Sequence, residues 1–131
     1  ARPCIARRRV LLGRTRRQGN VVAMICEQGE VLYVDFEPHV GHEPAKYRPA
    51  IVLSADAFNR VSSMTVVAPI TSTDNGYPMH SKIDCEDVSG FACVEQMKAV
   101  DLNARKCKHV GYAEEQQMNA LLSLAGAVFG I

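Results

Sequence analysis

The chain has 131 residues, 47% of them hydrophobic and 22% charged, which is enough for one domain with a real core and too few to expect two. No apolar run approaches the roughly 20 residues that span a bilayer. The five cysteines show neither CxxC spacing nor zinc-ligand intervals to histidine, so they suggest no disulfide framework and no zinc site and fit a reducing cytosol.

The net charge of +1 conceals an asymmetry. Residues 1–23 carry seven arginines and no acid, whereas residues 24–131 hold eight basic residues against fourteen acids. The first 23 residues lack the apolar core of a signal peptide, and Pro3 and Gly13 work against the amphipathic helix of a mitochondrial presequence. Two readings stay open: a basic arm that touches nucleic acid, or an extension preceding a natural start at Met24. The second is favoured, because a recognisable strand begins soon after Met24, and the domain is accordingly placed at residues 24–131.

Residues 30–36 (EVLYVDF) alternate, with Leu32, Val34 and Phe36 on one face and Val31, Tyr33 and Asp35 on the other, the period of a half-buried strand. Residues 50–53 (AIVL) and 64–70 (MTVVAPI) are short, unbroken apolar runs rich in β-branched residues, predicted as central strands buried on both faces. Between the first two lies EPHVGHEPAKYRP, whose Pro38, Gly41, Pro44 and Pro49 argue for a loop. A loop of about ten residues exceeds what a hairpin needs, and loops held by a rigid sheet concentrate functional groups; this one carries Glu37, His39, His42, Glu43, Lys46, Tyr47 and Arg48. Arg48 precedes Pro49, which biases it towards an extended backbone at the mouth of a central strand. Pro69 lacks an N–H and is expected to weaken or end the ladder near the hydroxyls of Thr71, Ser72 and Thr73. Antiparallel pairing of these two strands would make Arg48 and Thr71 neighbours.

DNGYP (74–78) predicts a turn, followed by an exposed edge strand at MHSKIDC (79–85) and a second turn at EDVSG. FACVEQMKAV (91–100) reads as a strand with a bend or bulge near Gln96, since Glu95 and Gln96 interrupt an apolar run. LNARKCKHVG (102–111) predicts one tight helical turn and a short strand, with Arg105, Lys106 and Lys108 as a basic cluster. The segment from Ala113 to Gly130 repeats apolar residues at helical spacing, with Glu114 and Glu115 at its positive end. The layout is mainly β with a C-terminal helix: six or seven short strands in a small curled antiparallel sheet or SH3-like barrel.

In this order GEVLYVDFEP, GHEPAKYRPAIVLS, VAPITS, GYP, VEQMKAVD, the NAR triplet and HVG resemble the MazF/PemK family of toxin endoribonucleases from type II toxin–antitoxin modules, over residues 29–130. The resemblance implies the PemK-like toxin fold, a homodimer in the cytoplasm, and metal-independent, sequence-specific cleavage of single-stranded RNA by 2′-OH attack on the phosphodiester. It also implies restraint by a cognate antitoxin, with operator DNA bound only through the antitoxin complex, and neither cofactor nor membrane. It assigns Arg48, Thr71 and Glu43 to catalysis: Arg48 as the cation facing the pentacoordinate phosphate, Thr71 as a phosphate contact, Glu43 as a base. Candidate RNA contacts are Lys46, Tyr47, Ser72, Gln96, Lys98 and Arg105. His42, beside Glu43, is a competing base, and the HxxHE run at 39–43 lacks the helix and third ligand of a metal site. A different class of function is also open: a non-enzymatic toxin of the same fold that binds DNA gyrase, or a DNA-autoregulatory partner of an antitoxin.

Overall fold

The computed structural model describes residues 9–10, 23–36, 47–73 and 76–131. Two two-residue strands, β1 (Arg9–Val10) and β2 (Ala23–Met24), pair with each other. The body is one curled antiparallel sheet built from β3 (Glu30–Asp35), β4 (Tyr47–Val52), β5 (Thr65–Thr71), β6 (His80–Cys85), β7 (Val88–Cys93), β8 (Lys98–Val100) and β9 (Cys107–Tyr112). Their order is β6-β7-β5-β4-β3-β9, with β8 paired to β5 off that path. Helix α1 (Asp56–Val61) joins β4 to β5, and α2 (Glu115–Phe129) closes the chain.

Each apolar run feeds both faces of the sheet. Val31, Ile51, Leu53, Ala68, Ile70, Ile83, Ala92 and Val94 gather in one cluster with Met118 and Leu121 of α2. Leu32, Val34, Phe36, Ala50, Val52, Val67, Val100 and Leu102 form the other. The alternation of β3 therefore does not mark a half-buried strand. Leu32 and Val34 face one cluster and Val31 the other, all with no exposed area, as suits a strand flanked on both edges by β4 and β9. The expected central positions of β4 and β5 hold.

Two expectations are corrected. The run 91–100 is two strands rather than one bent strand. Its polar residues fall in a single 3-10 turn, Val94–Gln96, after which β8 leaves β7's line and pairs with the start of β5. Helix α1 was not foreseen. It forms because Asp56 Oδ1 accepts the Gln28 N–H at 2.7 Å and because Asn59, buried at 5% exposure, ties it to the core. The expected edge strand at 79–85 stands at the sheet's end, with Ile83 and Cys85 turned inward. Among the described residues no helix is long and apolar enough to cross a membrane.

Candidate active site

The site begins where β4 and β5 part. Leu53 N donates to the Val66 carbonyl at 2.9 Å, so the alternate residues 51 and 49 of β4 also turn their amides towards β5. Residue 49 is proline and has no N–H to give. The pairing accordingly stops at Ala50 opposite Pro69. On its other edge, β5 pairs with β8 through Val67 and with β7 from Ile70 onward, and Pro69, with no hydrogen to donate, sits at this change of neighbour. The sequence-based expectation that Pro69 ends the ladder is thus refined: Pro49 ends it towards β4, and Pro69 marks the handover from β8 to β7.

Past the last paired position, the register carried two residues further sets Arg48 opposite Thr71. Both line a cleft of about 470 Å³ whose other walls are Pro49, Pro69, Ile70, Ser72, His80, Cys93 and Gln96. That volume lies within the roughly 300–1,000 Å³ typical of small-ligand sites. Arg48 is exposed and free to turn its fork into the opening. Thr71 is held on two sides. Its Oγ1 accepts the Thr73 amide at 3.2 Å, which leaves the hydroxyl hydrogen to point outward. Its backbone lies against Gly90, where an added Cβ would press on the Thr71 carbonyl and approach the Ile70 Cγ2 to 2.9 Å. Only a glycine lets β7 come this close.

The far wall comes from the β6–β7 hairpin. His80 stands directly opposite Cys93 in that pairing, and the 3-10 turn brings Glu95 back over both. His80 Nε2 lies 3.0 Å from Glu95 Oε2, with the His80 side chain 7% exposed. Tyr77 packs edge-on against the imidazole with ring centroids 5.2 Å apart. Partial burial alone would raise the Glu95 carboxyl, but hydrogen bonds from His80, its own backbone N–H and Gln96, together with the nearby imidazole, hold it below the usual carboxylate range. Burial, then the Glu95 charge, push the Cys93 thiol up, and a Thr71 backbone hydrogen bond opposes them. Sequence reasoning singled out neither His80 nor Cys93.

The other predicted residues separate. Ser72 and Gln96 join the cleft, and Gln96 Nε2 reaches Glu95 at 3.4 Å. Tyr47 is exposed beside Arg48, opposite Asp35. Lys98 lies over the Phe36 ring, 4.7 Å from its centroid and away from the cleft lining. Arg105 donates to the carbonyls of Phe36, at 2.6 Å, and Asp35, at 3.2 Å, which fastens the end of β3. Glu43, Lys46 and the histidines at 39 and 42 lie outside the described residues.

A curled β-sheet with one C-terminal helix, opened at a broken strand pair into a cleft with an arginine on one lip and a hydroxyl on the other, defines a small half-barrel of the toxin type. The chain belongs to the family of PemK-like, MazF-like toxins of type II toxin–antitoxin systems, whose pattern it matches over residues 27–129. It is 41% identical over 113 residues to the endoribonuclease toxin ChpB of Escherichia coli K12, spanning 78% of this chain and 93% of that one. It is 28% identical over 106 residues to the endoribonuclease toxin MazF of the same strain, spanning 81% and 96%. In three dimensions it is similar to the toxin in a MazE–MazF complex from Deinococcus radiodurans, with a TM-score of 0.72 at 26% identity, covering 83% of this chain and 99% of that one.

Proposed function

We propose that this chain is an endoribonuclease toxin that cuts single-stranded RNA at short sequence motifs without a metal ion, and that a cognate antitoxin restrains it by filling the cleft. The observation that carries this reading is the register that sets Arg48 across from Thr71 at the parted ends of β4 and β5. A surface that only gripped gyrase would have no use for a cation and a hydroxyl converging on one small opening.

The 2′-oxygen attacks the neighbouring phosphorus, the bond to the 5′-oxygen breaks, and a cyclic phosphate and a 5′-hydroxyl result. Charge on the equatorial oxygens peaks in the pentacoordinate state, where a fixed guanidinium is most effective. Arg48 supplies it, and as a group with a very high intrinsic pKa it does electrostatic work rather than proton transfer. Thr71 donates its outward hydrogen to a phosphate oxygen. Glu43 takes the 2′-proton. Water returns a proton to the leaving oxygen, and the His80–Glu95 pair shapes the far wall of the cleft. Ser72, Gln96 and Tyr47 border the path on which neighbouring nucleotides would lie, and Lys46 stands one residue before Tyr47. The acting form is a cytoplasmic homodimer of the 24–131 unit, and operator DNA is engaged only with the antitoxin.

A long single-stranded transcript incubated with the protein in excess chelator should give fragments ending in 5′-hydroxyls. Uncut RNA, or cleavage that appears only when a divalent ion is added, overturns the mechanism. Uncut RNA together with inhibition of gyrase would select the binding toxin instead.

A further inference from the structure

The far wall of the cleft holds a group of side chains that phosphodiester cleavage does not need as a set. A ring nitrogen of His80, the Cys93 sulfur and a carboxylate oxygen of Glu95 all lie within 4.8 Å of one another. The fold produces this grouping twice over. His80 and Cys93 are cross-strand partners, so their side chains share a face. The 3-10 turn that follows Cys93 then swings Glu95 onto the same face. The sequence spacing of these three residues matches no metal-binding motif, because the hairpin rather than the chain brings them together.

A second observation points to a ligand. His80 is more than nine-tenths buried, which fixes its ring with Nε2 towards Glu95. His80 Nε2 and Glu95 Oε2, 3.0 Å apart, already stand near the separation of two ligands on one tetrahedral ion. Cys93 is 4% exposed, and its thiol makes a long contact of 3.7 Å to the Phe91 carbonyl beside the Thr71 backbone hydrogen bond. One sulfur, one imidazole and one carboxylate form a donor set for zinc-class ions, whereas magnesium and calcium prefer oxygen alone. Tetrahedral bonds of about 2.0–2.3 Å place ligand atoms roughly 3.5 Å apart, so small rotations of Cys93 and Glu95 close the set. His80 and Cys93 both line the cleft, so a fourth position would face Arg48 and Thr71 and could take water or a phosphate oxygen.

We propose that His80, Cys93 and Glu95 form an inhibitory site for a thiophilic divalent cation, with Zn²⁺ as its fitting occupant. The bound ion sits on the far wall and obstructs the cleft that Arg48 and Thr71 line. Binding releases the thiol proton to solvent and transfers no electrons. The inhibition, though not the binding, rests on the endoribonuclease reading above.

The site is tested without RNA by titrating the full chain with Co²⁺, which reports a thiolate ligand through a near-ultraviolet charge-transfer band. One Co²⁺ per chain should bind, Zn²⁺ should displace it, and the band should vanish in Cys93→Ser. Glu95→Gln should weaken binding by at least about tenfold. The absence of the band, or its persistence in Cys93→Ser, overturns the site. In the RNA assay, Zn²⁺ should stop cleavage and chelator should restore it, and in Cys93→Ser the ratio of rates with and without Zn²⁺ should return to about one. Wild-type cleavage untouched at Zn²⁺ levels that fill the site overturns the inhibitory role. Failure to cut RNA in chelator alone would fault the endoribonuclease reading, and the cobalt titration still decides the metal site.

Discussion

Asn59 is a buried polar side chain off the cleft, and replacing it tests whether α1 is anchored as the structure indicates. Its Nδ2 donates to the Cys26 carbonyl at 3.0 Å and to the Ser54 carbonyl at 3.1 Å, and its Oδ1 accepts the Ser54 hydroxyl. Ser54 Oγ in turn accepts the Val66 amide at 2.9 Å. The one amide therefore joins the segment entering β3, the end of β4, α1 and the start of β5. Asn59→Ala removes three hydrogen bonds worth about 1 kcal/mol each and leaves two carbonyls short of a donor, a loss of about 3 kcal/mol. For a domain near 100 residues this lowers the melting temperature by about 12 °C or more. Asn59→Asp retains the shape but sets oxygens against those same carbonyls, and it should cost at least as much. Thermal unfolding followed by circular dichroism measures both. No residue of this network lines the cleft, so cleavage at low temperature should persist. A drop of less than about 4 °C in both variants would refute the anchoring argument.

The remaining predictions concern the cleft and its supports. Arg48→Ala should reduce RNA cleavage by about 10²–10³-fold with the melt almost unmoved, since the side chain is exposed; loss of fold would make Arg48 structural. Gly90→Ala removes no chemical group, yet the added methyl presses on the Thr71 carbonyl. It should cost about 1–3 kcal/mol and depress cleavage, and a variant with native melt and native rate would refute the close-approach account. Arg105→Met keeps the stem but loses the bonds to the Phe36 and Asp35 carbonyls, which should destabilise by about 1–3 kcal/mol and leave the salt dependence of RNA binding unchanged. A salt slope lower by about one would mark Arg105 as a phosphate contact instead.

The sheet was legible because its strands are short apolar runs whose two faces both meet core. AIVL and MTVVAPI could be little else, and the C-terminal helix carries a clear 3.6-residue stripe. Helix α1 was hidden because it has no such stripe: within Asp56–Val61 only Asn59 is buried, while Phe58 is 43% and Val61 86% exposed. Polar bonds to Gln28, Cys26 and Ser54 hold it, and the first two partners are distant in sequence. The break at residues 94–96 was visible as a polar interruption, but its form was not. Whether a bulge or a 3-10 turn results depends on where the following strand docks, and β8 docks on β5. The same limit hid the far wall of the cleft. His80 and Cys93 look like an edge-strand histidine and a scattered thiol until the hairpin register sets them face to face.

That difference between near and far wall follows from how each is specified. The near wall is written locally: a proline after Arg48 and a proline before Ile70 deprive two central strands of donors, and a cleft must open where the ladder lapses. Proline in a central strand is ordinarily excluded because it orphans a neighbour's carbonyl. Here the Pro49 nitrogen faces β5 just beyond the last paired residues, and Pro69 lies where β5 changes partners, so neither interrupts an intact run of pairs. The residues that cost the sheet its continuity are therefore those that place Arg48 and Thr71 opposite each other with no ladder between them. A phosphate needs that arrangement: a cation and a hydroxyl on separate strands, held by a rigid core within two residues of each, across a gap that hydrogen bonding would otherwise have closed.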